Sequence, residues 1–121
     1  MYQVKVDPHT HTLYSGHAFS TIGENAAEAA RLGLDGIGMT DHFGIMTTRK
    51  ADGNLDFGPL LNNEALPPNV YGVRVLQGVE IDIMDFHGEL AFWREKDPFR
   101  PGGMTIGERL LRTREIVIAS L

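Results

Sequence analysis

Residues 21–42, TIGENAAEAARLGLDGIGMTDH, decide the fold. Thr21 with Glu24 three residues later is the pattern of a capping box, and Ala26, Ala27, Ala29, Ala30 and Leu32 follow at helical spacing. Gly33 supplies a stop, so the spacing predicts a helix over 22–32. The next stretch, LDGIGMTDH, reads as a short buried strand over 34–40 that ends on Asp41 and His42. Upstream, Tyr2, Val4 and Val6 alternate with Gln3, Lys5 and Asp7, the period of a strand with one buried face, and this strand runs straight into HTHT at 9–12. Strand, helix and strand in this order make a βαβ unit.

Working outward, residues 47–72 are rich in Gly, Asn and Pro and read as loop, with a helical turn near 60–66. VRVLQGVEIDI at 73–83 returns to β-branched and apolar residues and reads as a third strand; His87-Gly88 then gives a turn into GELAFW. A further loop covers 98–103. Thr105 and Glu108 can cap a short helix over 106–113, and EIVIASL at 115–121 is a fourth apolar strand. The expectation is an α/β fold with about four mainly parallel strands and connecting helices, in one domain over residues 1–121. There is no internal repeat.

A chain of 121 residues with 42% apolar content can build a single core. The formal charge of -5 and the lack of any Lys/Arg run argue against a sequence-independent grip on nucleic acid, which needs a concentrated basic surface. The opening MYQVKVDPHTHT has no signal-peptide pattern, and no segment approaches a membrane span, so a cytoplasmic protein is the simplest reading. Without cysteine, any metal must be held by imidazole and carboxylate.

His9 and His11 lie two apart at the expected end of the first strand, so both imidazoles face one way, about 7 Å apart along the backbone. His42 ends the second strand, and Glu80 falls in the third after VRVLQGV. In parallel α/β barrels the C-terminal strand ends converge on one functional face, which makes these four residues candidate metal ligands. His17, in the loop before the first helix, is either a further ligand or a solvated loop residue. Asp7 and Asp41 adjoin ligand candidates and could accept the second N–H of a metal-bound imidazole; Asp41 is equally a turn residue after a strand. Asp82 shares a strand face with Glu80, either as an outer partner of the ligands or as a solvated carboxylate. Ser15 and Ser20 could meet a phosphate near the start of the first helix, or serve as loop and cap residues. His87 is explained by its turn, and Met39, Phe43, Phe57, Phe86 and Phe92 are assigned to core.

DPHTHT, SGHAFST, GLDGIGMTDH and GVEIDI, in that order, resemble the opening motifs of the PHP (polymerase and histidinol phosphatase) phosphoesterases, especially their small bacterial YcdX-like branch. The resemblance implies a distorted (β/α)7 barrel of which this chain supplies the first half. It also implies up to three Zn, Mn or Fe ions and a small phosphorylated substrate. Carried over by motif, His9 and His11 bind the first metal, Glu80 bridges the first and second, and His17 and His42 bind the third; Glu80 and His42 are also the candidate catalytic residues. The family's remaining ligands would lie on strands beyond Leu121.

Two other functions compete with phosphoester hydrolysis. The His-x-His pair also resembles amidohydrolases, which cleave amides or lactones. Alternatively, the chain is a catalytically incompetent fragment or a metal-binding interaction module. Four strands of a seven-strand barrel would leave open edges and uncovered apolar side chains, so self-association into a homo-oligomer is a further expectation.

Overall fold

The computed structural model describes residues 2–45, 51–100 and 102–121. It is an α/β structure whose parallel strands curl into a half-barrel. The strands are β1 (Val6–Thr10), β2 (Gly36–Met39), β3 (His42–Phe43), β4 (Asn69–Val70), β5 (Val73–Asp82) and β6 (Ile116–Ser120). The helices are α1 (Ile22–Arg31), α2 (Gly58–Glu64) and α3 (Ile106–Thr113), with one 3-10 turn at Leu13–Ser15. The four expected parallel strands are β1, β2, β5 and β6; β3 and β4 are two-residue additions. α2 lies in the segment read as loop, of which residues 46–50 fall outside the described residues.

The organising element is β5, because its two halves have different neighbours. Residues 74–77 pair with β2, and residues 80–81 pair with β3, which carries the line of β2 onward after Thr40 and Asp41. Residues 78–82 pair with β6. Since β3 and β6 both pair with Glu80 and Ile81, they lie on opposite edges of β5. β1 adds to β2 in parallel, with a register irregularity between Asp7 and Thr10.

Period two assigns the faces of β5. Val73 and Val75 pack with Ala26 and Ala29 of α1 and with Ile37 and Met39 of β2. Val79 and Ile81 pack with Phe43, Leu60, Phe92, Ile106 and Leu110. The helices therefore cover the odd-numbered side, and Gly78, Glu80 and Asp82 occupy the concave one. Glycine is required where strands approach on that face. A Cβ on Gly38 would lie 2.2 Å from the Pro8 carbonyl oxygen, and one on Gly78 would lie 2.6 Å from Thr40 Cγ2.

Both expected capping boxes are formed. Thr21 Oγ1 accepts the Glu24 N–H while Glu24 accepts the Thr21 N–H, and Thr105 and Glu108 do the same for α3. The first strand is displaced from its expected position over 2–7. Pairing begins only where Val6 meets Gly36, and Tyr2 and Val4 are solvent-exposed. Pro8, which lacks an N–H, is accommodated in a strand with a neighbour on one side. The second strand ends at Met39, so His42 opens β3 instead of closing β2.

Behind β5 and β6 lies a buried ionic network with no counterpart in the sequence reading. Arg109 of α3 bonds Glu64 of α2 through Nε and Nη2, at 2.9 and 2.8 Å, and Asp97 through Nη1, at 3.1 and 3.0 Å. Arg114 joins through Glu64 at 3.3 Å and donates to the Leu60 carbonyl. The Arg109 bonds and the charges of Arg109 and Arg114 hold the Glu64 carboxyl below its ordinary range, outweighing burial, the largest single influence, which pushes it up.

Candidate metal centre

His9 on β1 and Glu80 on β5 meet across the concave face, Nε2 to Oε2 at 2.8 Å. His11, just past β1, has its backbone carbonyl tied to the Asn25 side chain of α1, and its Nε2 lies 2.9 Å from His9 Nε2 and 3.0 Å from Glu80 Oε2. Three ligand-type atoms thus form a triangle. Glu80 is an acceptor, and each imidazole nitrogen is either a donor or an acceptor. Whatever the assignment, at least one side of the triangle sets lone pair against lone pair or hydrogen against hydrogen. A cation at the centre removes the conflict by taking all three lone pairs, so this donor set fits a divalent ion held by imidazole and carboxylate.

Two of the three groups are shifted toward the form a ligand needs. Burial and the neighbouring His42 lower the His11 pKa, with His9 adding to the effect, which keeps the ring neutral as a ligand must be. Burial pushes the Glu80 carboxyl up, but the Ser120 and His9 hydrogen bonds and the charges of His42 and His9 outweigh it, and the net shift is downward. Glu80 is 6% exposed.

His42, at the start of β3, places Nδ1 3.8 Å from Glu80 Oε2. Its ring lies 4.7 Å from that of His11 and 4.7 Å from that of His17, and His17 lies 5.9 Å from His11. The exposed loop that follows the 3-10 turn therefore returns His17 to the cluster. Four imidazoles and one carboxylate line one concave patch.

The hydrogen bonds of the three aspartates run to backbone and hydroxyl groups. Asp7 accepts the backbone N–H of His9, not a ring N–H. Asp41 accepts from the Thr12 N–H, the Thr12 hydroxyl and the Ser15 hydroxyl. Asp82 accepts the Ile45 N–H beside Gly44, where a Cβ would lie 2.3 Å from its Oδ2; it anchors the backbone after β3. Ser15 is 1% exposed and hydrogen-bonded within the fold, so it does not face a phosphate from solvent. Ser20 gives its carbonyl to the Leu13 N–H. His87 sits in a turn, its N–H bonded to Asp85 and Gly88 at φ 78°.

Ser120 joins the site in addition to the residues that the motifs predict. Its hydroxyl makes a short hydrogen bond to Glu80 Oε1 from the end of β6. The signal was available: Ser120 is the one hydroxyl in IVIAS, and by period two it faces the same side as Glu80.

Residues 7–115 match the family described as PHP domain. A protein named a probable phosphatase from Thermoanaerobacter sp. (strain X514) is 41% identical over 116 residues, covering 96% of this chain and 40% of its own length. One of the same description from Caldanaerobacter subterraneus subsp. tengcongensis is 41% identical over 120 residues, with 96% and 38% covered. A third, from Photobacterium profundum, is 43% identical over 88 residues, with 73% and 34% covered. The chain thus spans about two fifths or less of the length of these curated relatives. Among the described residues no helix is long and apolar enough to cross a membrane.

Proposed function

The chain belongs to the PHP domain family, and from that premise we propose that it supplies the opening half of a metal-dependent phosphoesterase site acting on a small phosphorylated molecule in the cytoplasm. The observation that carries the reading is the triangle of His9 Nε2, His11 Nε2 and Glu80 Oε2, with sides of 2.8 to 3.0 Å and no self-consistent arrangement of protons. The names of the relatives, all probable phosphatases, support the reaction class.

In this reading His9, His11 and Glu80 would hold one divalent ion, of Zn, Mn or Fe, and His17 and His42 would contribute to the third of the family's metal positions. Bound ions would lower the pKa of water and neutralise charge on phosphoryl oxygens. The chain's own residues orient that chemistry. Ser120 holds one Glu80 oxygen and leaves the other facing the imidazoles, and Asn25 fixes the His11 backbone from α1. His42 Nδ1, 3.8 Å from Glu80 Oε2, keeps the third position next to the first.

The test is phosphate release from p-nitrophenyl phosphate by the protein that carries this chain, before and after chelation and in His11→Ala and Glu80→Ala. Both variants should lose most activity, and chelation should abolish it reversibly. Full turnover in Glu80→Ala, or after exhaustive chelation, would sink the reading. Amide and lactone substrates assayed alongside distinguish the amidohydrolase reaction.

A further inference from the structure

We propose that Ser15 is a positioning residue that locks the His11 ring as its Nδ1–H tautomer and so turns the Nε2 lone pair toward His9 and Glu80. The inference deepens the metal-site reading and rests on it for its functional meaning, but its geometric premise stands apart. Ser15 lies in the 3-10 turn, 1% exposed, and its hydroxyl oxygen has three neighbours within hydrogen-bond distance. These are Asp41 Oδ1 at 2.7 Å, the His42 backbone nitrogen at 3.1 Å and His11 Nδ1 at 2.8 Å.

Proton accounting leaves one solution. A serine hydroxyl has one proton and two lone pairs. The His42 N–H can only donate, so it takes one lone pair. Asp41 Oδ1 already accepts the Thr12 N–H at 2.6 Å and acts as an acceptor, so the hydroxyl proton goes to it. If the hydroxyl turned to His11 instead, two oxygens 2.7 Å apart would face each other with lone pairs only. One lone pair remains for His11, whose Nδ1 must then carry the hydrogen. In the neutral ring Nε2 is left bare, 2.9 Å from His9 Nε2 and 3.0 Å from Glu80 Oε2.

The same accounting gives Asp41 a role it cannot exert directly. Metal-bound imidazoles usually give their second N–H to a carboxylate or carbonyl. Here a hydroxyl stands between ring and carboxylate, and Thr12, donating to Asp41 through both N–H and Oγ1, fixes the carboxylate that fixes the hydroxyl. Ser15 also sets the entry of β3 by accepting the His42 N–H, so one side chain aligns two histidines on different elements.

The experiment is long-range 15N–1H correlation of the imidazoles in the metal-free full chain, at a pH well above the imidazole range, together with zinc affinity by chelator competition. The wild-type chain should show His11 as Nδ1–H. In Ser15→Ala, His11 should shift toward the Nε2–H form that a neutral histidine prefers in water, and zinc affinity should fall about tenfold. Ser15→Thr, which keeps the hydroxyl, should recover both. A wild-type His11 carrying its proton on Nε2 would overturn the proposal without recourse to any variant, as would a folded Ser15→Ala that keeps both the Nδ1–H tautomer and its zinc affinity within twofold. A wild-type chain that shows the Nδ1–H tautomer yet binds no zinc would support the lock and refute the metal reading alone.

Discussion

Arg109→Ala probes whether the half-barrel is held from behind by its buried charges. The Arg109 side chain is 2% exposed and that of Asp97 is 0% exposed. Removing one partner of such a pair costs about 3 to 5 kcal/mol, mostly because the other charge stays buried without compensation. Asp97 would retain the Phe99 N–H and Glu64 would retain Arg114, which places the expected loss at the lower end, about 3 kcal/mol. With an unfolding entropy of about 2.1 cal/mol/K per residue, a chain of this length should lose about 12 °C in Tm. Circular dichroism melts and urea titrations read both quantities. Arg109→Met with Asp97→Asn, which removes the charges together, should recover much of the loss. Arg31→Ala, breaking the solvent-exposed pair with Glu28, should leave Tm unchanged. A fall of under about 1 kcal/mol for Arg109→Ala would place this network with exposed pairs and refute the argument.

The stability attached to Glu64 should depend on pH in one direction. Its carboxyl titrates lower folded than unfolded, so its contribution is complete above the ordinary glutamate range and drains away as pH falls beneath it; melts at stepped pH should show this, with a shallower decline in Arg109→Ala. Gly38→Ala should displace β1, since the new methyl meets the Pro8 carbonyl at 2.2 Å, and should weaken zinc binding along with Tm because His9 rides on that strand. Thr105→Ala removes the hydroxyl that caps α3 and should cost about 1 kcal/mol in urea unfolding, with zinc affinity unchanged.

Much of this architecture was legible because it rests on local rules. The capping boxes at Thr21 and Thr105 fixed where α1 and α3 begin, since both partners lie within four residues of each other. The convergence of His9, His11 and Glu80 was legible for a different reason: strands with period two and a parallel sheet leave few places for their ends to point. The misplaced pieces depended on partners distant in sequence. Tyr2 and Val4 alternate like a strand, but among the described residues no neighbouring strand extends far enough to pair with them. Asp41 adjoins His42 in sequence, yet Thr12 and Ser15 claim its oxygens, and that competition involves residues 26 and 29 positions away. No local pattern marks the Arg109 network, because Glu64, Asp97 and Arg109 come from three separate segments that only the fold brings together.

Register accounts for both the core and the site, and so ties them together. A one-residue slip of β5 against β2 and β6 would turn Glu80 toward Leu60, Ile106 and Leu110, and would turn Val79 and Ile81 onto the concave face. Burying an unpaired carboxylate and exposing two apolar side chains both oppose that slip, so hydrophobic packing under α2 and α3 places the ligand in front of His9 and His11. Gly78 lets β5 pass Thr40 closely enough for the pairing to hold on that side, and Ser120 catches Glu80 from the other. The odd-numbered residues of one strand thus supply the energy that its even-numbered residues need to gather imidazoles and a carboxylate at one point.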